Sequence, residues 1–249
     1  LGKQFTVKGE YMKRGFIRAL WGIYAKKDRV IRRRYRIDKD ITRIKSVKAG
    51  NKHPFVTYVL GKENYEALVA QGFDCKLVSD EPFLYDITKY QYRHKLELIR
   101  YAMEEDGYDE IVYLDWDCIP IKPIPDNFWE KMKEKSDFQA NLQIYYRRKC
   151  FWRETDKRKV PNGGFLYIAD KTIPSKVISI WENRLRQDND EPAWAKFTDQ
   201  LIDGWKGEEV YWDKFEAMFC NLHQASSFTP EKLKEKEYVC FRHYQGGGS

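Results

Sequence analysis

A chain of 249 residues, 42% hydrophobic and 33% charged, is long enough for one large domain or two small ones and reads as soluble and globular. No run approaches the ~18 apolar residues of a membrane span, and the opening "LGKQFTVKGEYMKRG" lacks a long apolar core. Neither a transmembrane segment nor a signal peptide is therefore expected, and the expected location is cytoplasmic, or host cytoplasm for a viral chain. The net charge of +7 is uneven: residues 1–55 carry 17 Lys/Arg against 4 Asp/Glu, and the rest carries 28 against 34.

At the amino end, "EYMKRGFIRALWGIYA" sets Met12, Phe16, Leu20 and Ile23/Tyr24 at three- and four-residue steps, which predicts an amphipathic helix. "KKDRVIRRRYR", Lys26 to Arg36, is the densest basic stretch; it is either a solvated face or a contact with something acidic. Residues 1–53 are expected to form a basic N-terminal extension packed on a main domain at 54–246, with 247–249 a linker remnant. From Pro54 strands and helices alternate. "FVTYVLG" predicts a strand, "KENYEALVAQG" a helix stopped by Gly72, and "DCKLVSD" a second strand. "QYRHKLELIRYAMEEDG" predicts a helix with Tyr92, Leu96, Ile99 and Met103 on one face, and "EIVYLDWD" a third strand. "NFWEKMKEK" predicts a helix, "FQANLQIYY" and "NGGFLYIAD" strands, "PSKVISIWENRLRQD" and "AWAKFTDQLIDGW" helices, and "YVCFRHYQG" a strand and turn. The rhythm predicts an α/β fold with a mainly parallel sheet flanked by helices, whose ligands bind at the carboxyl ends of the strands. Five cysteines without a C-x-x-C pair (Cys75, Cys118, Cys150, Cys220, Cys240) favour free thiols over a disulfide framework or zinc site.

The chain holds three Asp-x-Asp triplets. Asp38-Lys39-Asp40 and Asp188-Asn189-Asp190 lie in polar surroundings, where solvated turns explain them. Asp115-Trp116-Asp117 instead follows the apolar run "IVYL". Two clustered carboxylates at the end of a buried strand need compensation, which a divalent cation with oxygen ligands supplies directly. The alternative is a strand-ending turn whose carboxylates cap backbone N–H groups.

The stretch from "FVTYVLGKENY" through "RHKLELIRYAMEEDGYDEIVYLDWDCIPIKPI" resembles the nucleotide-sugar-binding half of a GT-A fold (Rossmann-like) glycosyltransferase. "PNGGFLYI", "FTDQLID" and "FRHYQG" are similar, in the right order, to the Asn-x-Gly, Asp-Gln and His-x-x-Gly motifs of the glycogenin-like family 8 branch. The resemblance implies Asp115, Asp117 and His243 as ligands of Mn²⁺ or Mg²⁺, which bridges the donor's diphosphate and acts as a Lewis acid on the leaving group. It implies Lys95 near the diphosphate, with Trp116 between the two aspartates, and Tyr65 or Tyr58 as the aromatic on the nucleobase of a nucleotide-diphosphate sugar, most simply a UDP-sugar. Asn162 and Gly163 would hold the donor sugar, with Gly164 allowing close backbone approach. Asp199 and Gln200 would face the sugar and the reacting carbon. An inverting enzyme would use Asp199 as base for the acceptor hydroxyl; a retaining one would leave that proton to the departing phosphate, with Gln200 beneath the sugar.

The resemblance implies a hydroxyl acceptor. The loop "YYRRKCFWRETDKRK", Tyr145 to Lys159, interleaves aromatics with basic residues, which suits stacking on sugars or bases or closing over phosphates. With the basic amino segment it raises an acidic acceptor, such as a phosphorylated glycan or a hydroxylated base in viral or phage DNA, beside a neutral glycan, lipid-linked sugar or protein hydroxyl. Two rivals explain less. A nucleic-acid-binding module leaves the strand-end carboxylates unexplained, and a metal-dependent nucleotidyltransferase lacks a glycine-rich phosphate loop in "FVTYVLGKENY".

Overall fold

The computed structural model of the protein describes residues 12–21, 54–80, 87–116, 118–120, 122–145, 158–183, 190–201, 215–223 and 239–244. Among these are nine strands: β1 (Arg14–Leu20), β2 (Phe55–Leu60), β3 (Cys75–Ser79), β4 (Glu110–Leu114), β5 (Cys118–Pro120), β6 (Phe138–Tyr145), β7 (Arg158–Ile168), β8 (Cys220–His223) and β9 (Phe241–Tyr244). The five helices are α1 (Lys62–Ala70), α2 (Ile87–Glu104), α3 (Phe128–Lys135), α4 (Ile173–Glu182) and α5 (Glu191–Leu201). The main sheet runs β3-β2-β1-β4-β7-β6, and β5-β9-β8 form a small second sheet. The first four strands of the main sheet are mutually parallel, whereas β7 is antiparallel to both of its neighbours. The sheet is thus the mixed, mainly parallel one expected.

Both faces of this sheet are covered, and the strands show it residue by residue. Along β4, Ile111 and Tyr113 enter one apolar cluster with Leu96, Ile99 and Met103 of α2, Trp181 of α4 and Trp194 of α5. Val112 and Leu114 enter the opposite cluster with Leu68 of α1, Phe128 and Trp129 of α3, and Phe241 of β9. Burying each such side chain is worth about 1.5–3 kcal/mol, so the two clusters clamp the strands from either side.

The helix predicted around Phe16 is instead β1, at the centre of the sheet, with Phe16 paired to Phe55 and to Val112. The expected basic extension therefore contains a strand of the core itself; the stretch from Lys26 to Arg36 lies outside the described residues. The physical reason is that a parallel strand buried on both sides has no polar face to set a period of two. Phe16 and Leu20 join one cluster, Ile17 and Ala19 the other. Two arginines of β1 are drawn inward as well. Arg14 pairs with Glu110 at 3.3 Å and Glu130 at 2.8 Å. Arg18, fully buried, lies over the Phe55 and Trp116 rings and donates from Nη2 to the Cys118 carbonyl at 3.1 Å.

The cysteines that are described, Cys75, Cys118, Cys220 and Cys240, are free thiols as anticipated. Burial pushes the Cys240 thiol well above its ordinary value. No helix among the described residues is long and apolar enough to cross a membrane.

Candidate active site

At the carboxyl end of β4, four buried polar residues, Lys95, Asn162, Asp190 and His243, come together around Asp115 and the two glycines of β7. Asp115 follows the last strand residue with a third of its side chain exposed, and Tyr113 Oη donates to its Oδ1 at 2.7 Å. The turn after it is held by backbone and side-chain bonds from four directions. Asp115 N donates to Gly164 O at 2.8 Å, and Cys118 N to Asp115 O at 2.9 Å. Trp116 Nε1 donates to Ala19 O at 2.9 Å, and Arg18 supports Cys118 from below. Trp116 is thus 5% exposed and packs on Phe73; its side chain is a core element that anchors the turn.

Lys95 reaches this turn from the middle of α2. Its side chain is 2% exposed, and its three ammonium hydrogens have three acceptors within reach: Gly163 O at 2.7 Å, Asp190 Oδ2 at 3.0 Å and Asp115 Oδ1 at 3.5 Å. Burial pulls the ammonium down, but the Asp115 and Asp190 carboxylates outweigh it and hold Lys95 above its ordinary value. The ammonium also lies 4.8 Å from the Tyr113 ring centre. A lysine so placed is charged and joins α2, the end of β4, β7 and the start of α5 through one atom.

Asp190 immediately precedes α5, and its carbonyl accepts from Ala193 N and Trp194 N, as a helix-capping residue does. Its carboxylate is sealed, 2% exposed, between Lys95 and the Trp194 indole, whose Nε1 donates to Oδ2 at 3.0 Å. The solvated turn expected at Asp188–Asp190 is thereby corrected for Asp190. The next residue, Glu191, is half-buried and accepts from Asn162 Nδ2 at 3.0 Å, while Asn162 Oδ1 accepts from Gly164 N at 2.9 Å.

The two glycines after Asn162 are required by their neighbours. A Cβ on Gly163 would lie 2.6 Å from both Lys95 Nζ and Asp190 Oδ2. A Cβ on Gly164 would lie 2.0 Å from His243 Cε1. His243, 2% exposed, comes from β9, whose pairing sets it directly across from Cys118, the residue after Asp117. Asp115 and His243 therefore both close on Gly164, the first through its main chain and the second through its ring.

The sequence-predicted residues thus fall into groups. Lys95, Asp115, Asn162, Gly163 and His243 converge. Tyr65 sits in the first turn of α1, at the carboxyl end of β2, half-buried against the second apolar cluster. Tyr58 is not brought to this edge: its hydroxyl donates to Asp106 Oδ2 at 2.6 Å in the turn that leads into β4, and burial pushes it well above its ordinary value. Asp117, the side chains of Asp199 and Gln200, and the loop between Tyr145 and Arg158 lie outside the described residues. The backbone of Asp199 and Gln200 occupies the last turn of α5, eight residues and about 12 Å along the helix from Glu191. Among the described residues no three His, Cys, Asp or Glu side chains gather as a metal-holding set.

Three positions were missed by sequence reasoning. Asp190 and Glu191 open α5, and "DEP" carries a helix-start signal, a capping Asp followed by an acid and a proline, that points to them. Tyr92, one turn before Lys95, stacks edge-on with Trp21 at the end of β1, ring centres 6.2 Å apart. Burial first and the Asp190 carboxylate second hold the Tyr92 hydroxyl above its ordinary value, so it borders the same charged cluster. His94 is buried and lowered by that burial and by Arg93, in keeping with a packing role.

No family profile matches the chain, and no curated protein matches it. Solved structures do. Mouse xyloside xylosyltransferase 1 in its apo form is 10% identical, over 96% of this chain and 100% of that one, with a TM-score of 0.53. The WbbM bifunctional glycosyltransferase is 9% identical over 94% of this chain and 46% of that one, with a TM-score of 0.51. The galactosyltransferase LgtC, solved with donor and acceptor sugar analogues, is 15% identical over 93% and 87%, with a TM-score of 0.48. At such identities the likeness is one of backbone, and it shows that this chain has the GT-A fold of glycosyltransferases.

Proposed function

We propose that the protein is a metal-dependent glycosyltransferase that moves a sugar from a nucleotide-diphosphate sugar, a UDP-sugar in the first instance, to a hydroxyl acceptor. The observation that carries this reading is the convergence of Lys95, Asp115 and the Asn162-Gly163-Gly164 corner at the carboxyl edge of a GT-A sheet. Asp115, Asp117 and His243 would hold Mn²⁺ or Mg²⁺. The fit rests on an oxygen- and imidazole-bearing set and on His243 seated against Gly164, where any larger residue would displace the ring. The ion, when bound, neutralises charge as the sugar–phosphate bond breaks. Lys95 holds Asp115 in place and adds a fixed positive charge behind the diphosphate. Asn162 and Gly163 line the place of the donor sugar, Tyr65 is the aromatic candidate for the base, and Asp199 and Gln200 are the motif's candidates for the reacting carbon. The excess of positive charge before Pro54 supports an acidic acceptor, a phosphorylated glycan or nucleic acid.

The test is thermal stabilisation of the full chain by UDP-, GDP-, TDP- and CMP-sugars with and without Mn²⁺, followed by transfer and donor-hydrolysis assays. Metal-dependent stabilisation by one nucleotide series, lost in D115N and D117N, is the expected result. Unchanged donor hydrolysis in D117N with Mn²⁺ present would overturn the metal assignment. Charge reversal of Arg32, Arg33 and Arg34 that altered neither acceptor binding nor its salt dependence would remove the acidic acceptor.

A further inference from the structure

We infer that Arg18 is a positioning residue for the proposed metal site: from a central strand of the main sheet it fastens the turn that carries the two aspartates and, through Cys118, sets that turn against His243. The inference rests on the function proposed above, because that reading makes Asp115, Asp117 and His243 a metal-holding set.

β1 is closed on both faces by apolar side chains, and Arg18 lies fully buried within it. A guanidinium does not give up its proton inside a protein, so a full charge has been taken out of water at a cost that an apolar residue of similar length would avoid. Packing therefore does not call for an arginine at this place. What the arginine adds is direction. Its guanidinium lies 5.1 Å from each of the Phe55 and Trp116 ring centres, where the ring faces favour a cation, and Nη2 donates to the Cys118 carbonyl at 3.1 Å. The next residue of β1, Ala19, accepts from Trp116 Nε1 on its carbonyl at 2.9 Å. Trp116 and Cys118 are the two neighbours of Asp117, so both flanks of that residue are tied to consecutive residues of one strand. Cys118 in turn donates its N–H to Asp115 O at 2.9 Å and stands directly across from His243 in the pairing of β5 with β9. The aspartates and the histidine come from distant parts of the chain, and Arg18 gives them a common reference. Residues that hold metal ligands from behind change the affinity for the ion by about 10–100-fold when they are removed, without touching it.

The experiment is titration of the full chain with Mn²⁺, read by the electron paramagnetic resonance of the unbound ion, alone and with UDP or GDP present, beside the Tm of the metal-free chain. R18M is expected to weaken Mn²⁺ binding by about tenfold or more, while the metal-free Tm is kept or raised because the buried charge is gone. R14M is the contrast. Arg14 belongs to the same strand but pairs with Glu110 and Glu130 at its amino end; its loss should lower the Tm and leave Mn²⁺ affinity within about threefold of the wild type. R18K keeps the charge but not the planar fork that lies on rings while it donates, and it should fall between wild type and R18M. An R18M chain within about threefold of the wild type, or an R14M chain that weakens Mn²⁺ as far as R18M does, overturns the inference and leaves the metal site standing. If R18M does not fold, R18K carries the test, with wild-type affinity as the overturning result; if neither folds, Arg18 serves the fold alone and the inference is overturned. A wild type that binds no Mn²⁺ under any of these conditions overturns the metal assignment in the proposed function, and this inference falls with it.

Discussion

The two ends of the parallel strands carry similar charges in opposite circumstances. At the amino end, Lys76 pairs with Asp106, and Lys171 with Asp109 at 2.8 Å, with side chains between 13% and 46% exposed. At the carboxyl end, Lys95 and Asp190 are each 2% exposed. The first arrangement is open to water and salt, and such pairs contribute at most about 1 kcal/mol. The second has removed both ions from water, and each is tolerable only because the other is there. What the contrast teaches is that charge count does not locate a site, and neither does enclosure alone, since Glu110 is enclosed with Arg14 at the amino end; the carboxyl edge differs in gathering Lys95, Asp190 and Asp115 around one ammonium.

The sharpest way to break the comparison is at Lys95. K95M leaves Asp190 enclosed without its counter-ion and should cost about 3–5 kcal/mol, read as a fall on the order of 10 °C in Tm, with sugar transfer lost. Adding D190N should recover a measurable part of that stability but not the activity; no recovery would show that Asp190 is not the uncompensated charge. G164A comes next. Its new methyl meets the His243 ring, so about 1–3 kcal/mol should be lost, together with metal-dependent donor stabilisation. A variant that keeps full Mn²⁺ response would detach His243 from the site. Y113F removes the bond that orients Asp115, and about a tenfold loss in kcat/KM with little change in Tm is expected.

The smallest effects belong to the amino end. K76A should cost no more than about 1 kcal/mol, less at high salt, in denaturant titrations. Partial burial pushes the Asp106 carboxyl up, but bonds from Lys76 and Tyr58 outweigh it and leave it below its ordinary value. Asp109 is lowered chiefly by Lys171. A carboxyl lowered by folding stabilises the folded state above its unfolded value, about 3.9, and that stability is lost as pH falls through the lower folded value. The stability gap between wild type and a D106N/D109N chain should accordingly be flat above about pH 5 and close below about pH 4. A gap that widens in acid would contradict this.

Much of the architecture was legible because its elements carry one period each. The stripe Leu96, Ile99 and Met103 became the buried face of α2, and "IVYL" became β4 with Asp115 at its end. β1 was not legible, since enclosure on both faces erases the alternation that marks a strand. Trp116 and Tyr58 were drawn towards function by motif position, yet Trp116 is held in the core by Ala19 O and Tyr58 at the amino edge by Asp106. Glu191 was hidden because its meaning depends on Asn162, a neighbour that only the folded chain supplies. The metal assignment stays a proposal drawn from the motif and from the register that sets His243 opposite Cys118.

That register has a consequence for how the protein is made. β5 lies near the middle of the chain, yet its partner β9 is the last described strand, more than a hundred residues on; β8, which joins β9 in parallel, is its neighbour in the sequence. Such long-range pairing is slow to form. On the ribosome, a nascent chain would hold Asp115 well before the imidazole arrives, so this corner would be assembled only once β9 has been made, and a chain released short of β9 would leave Gly164 without its His243 neighbour.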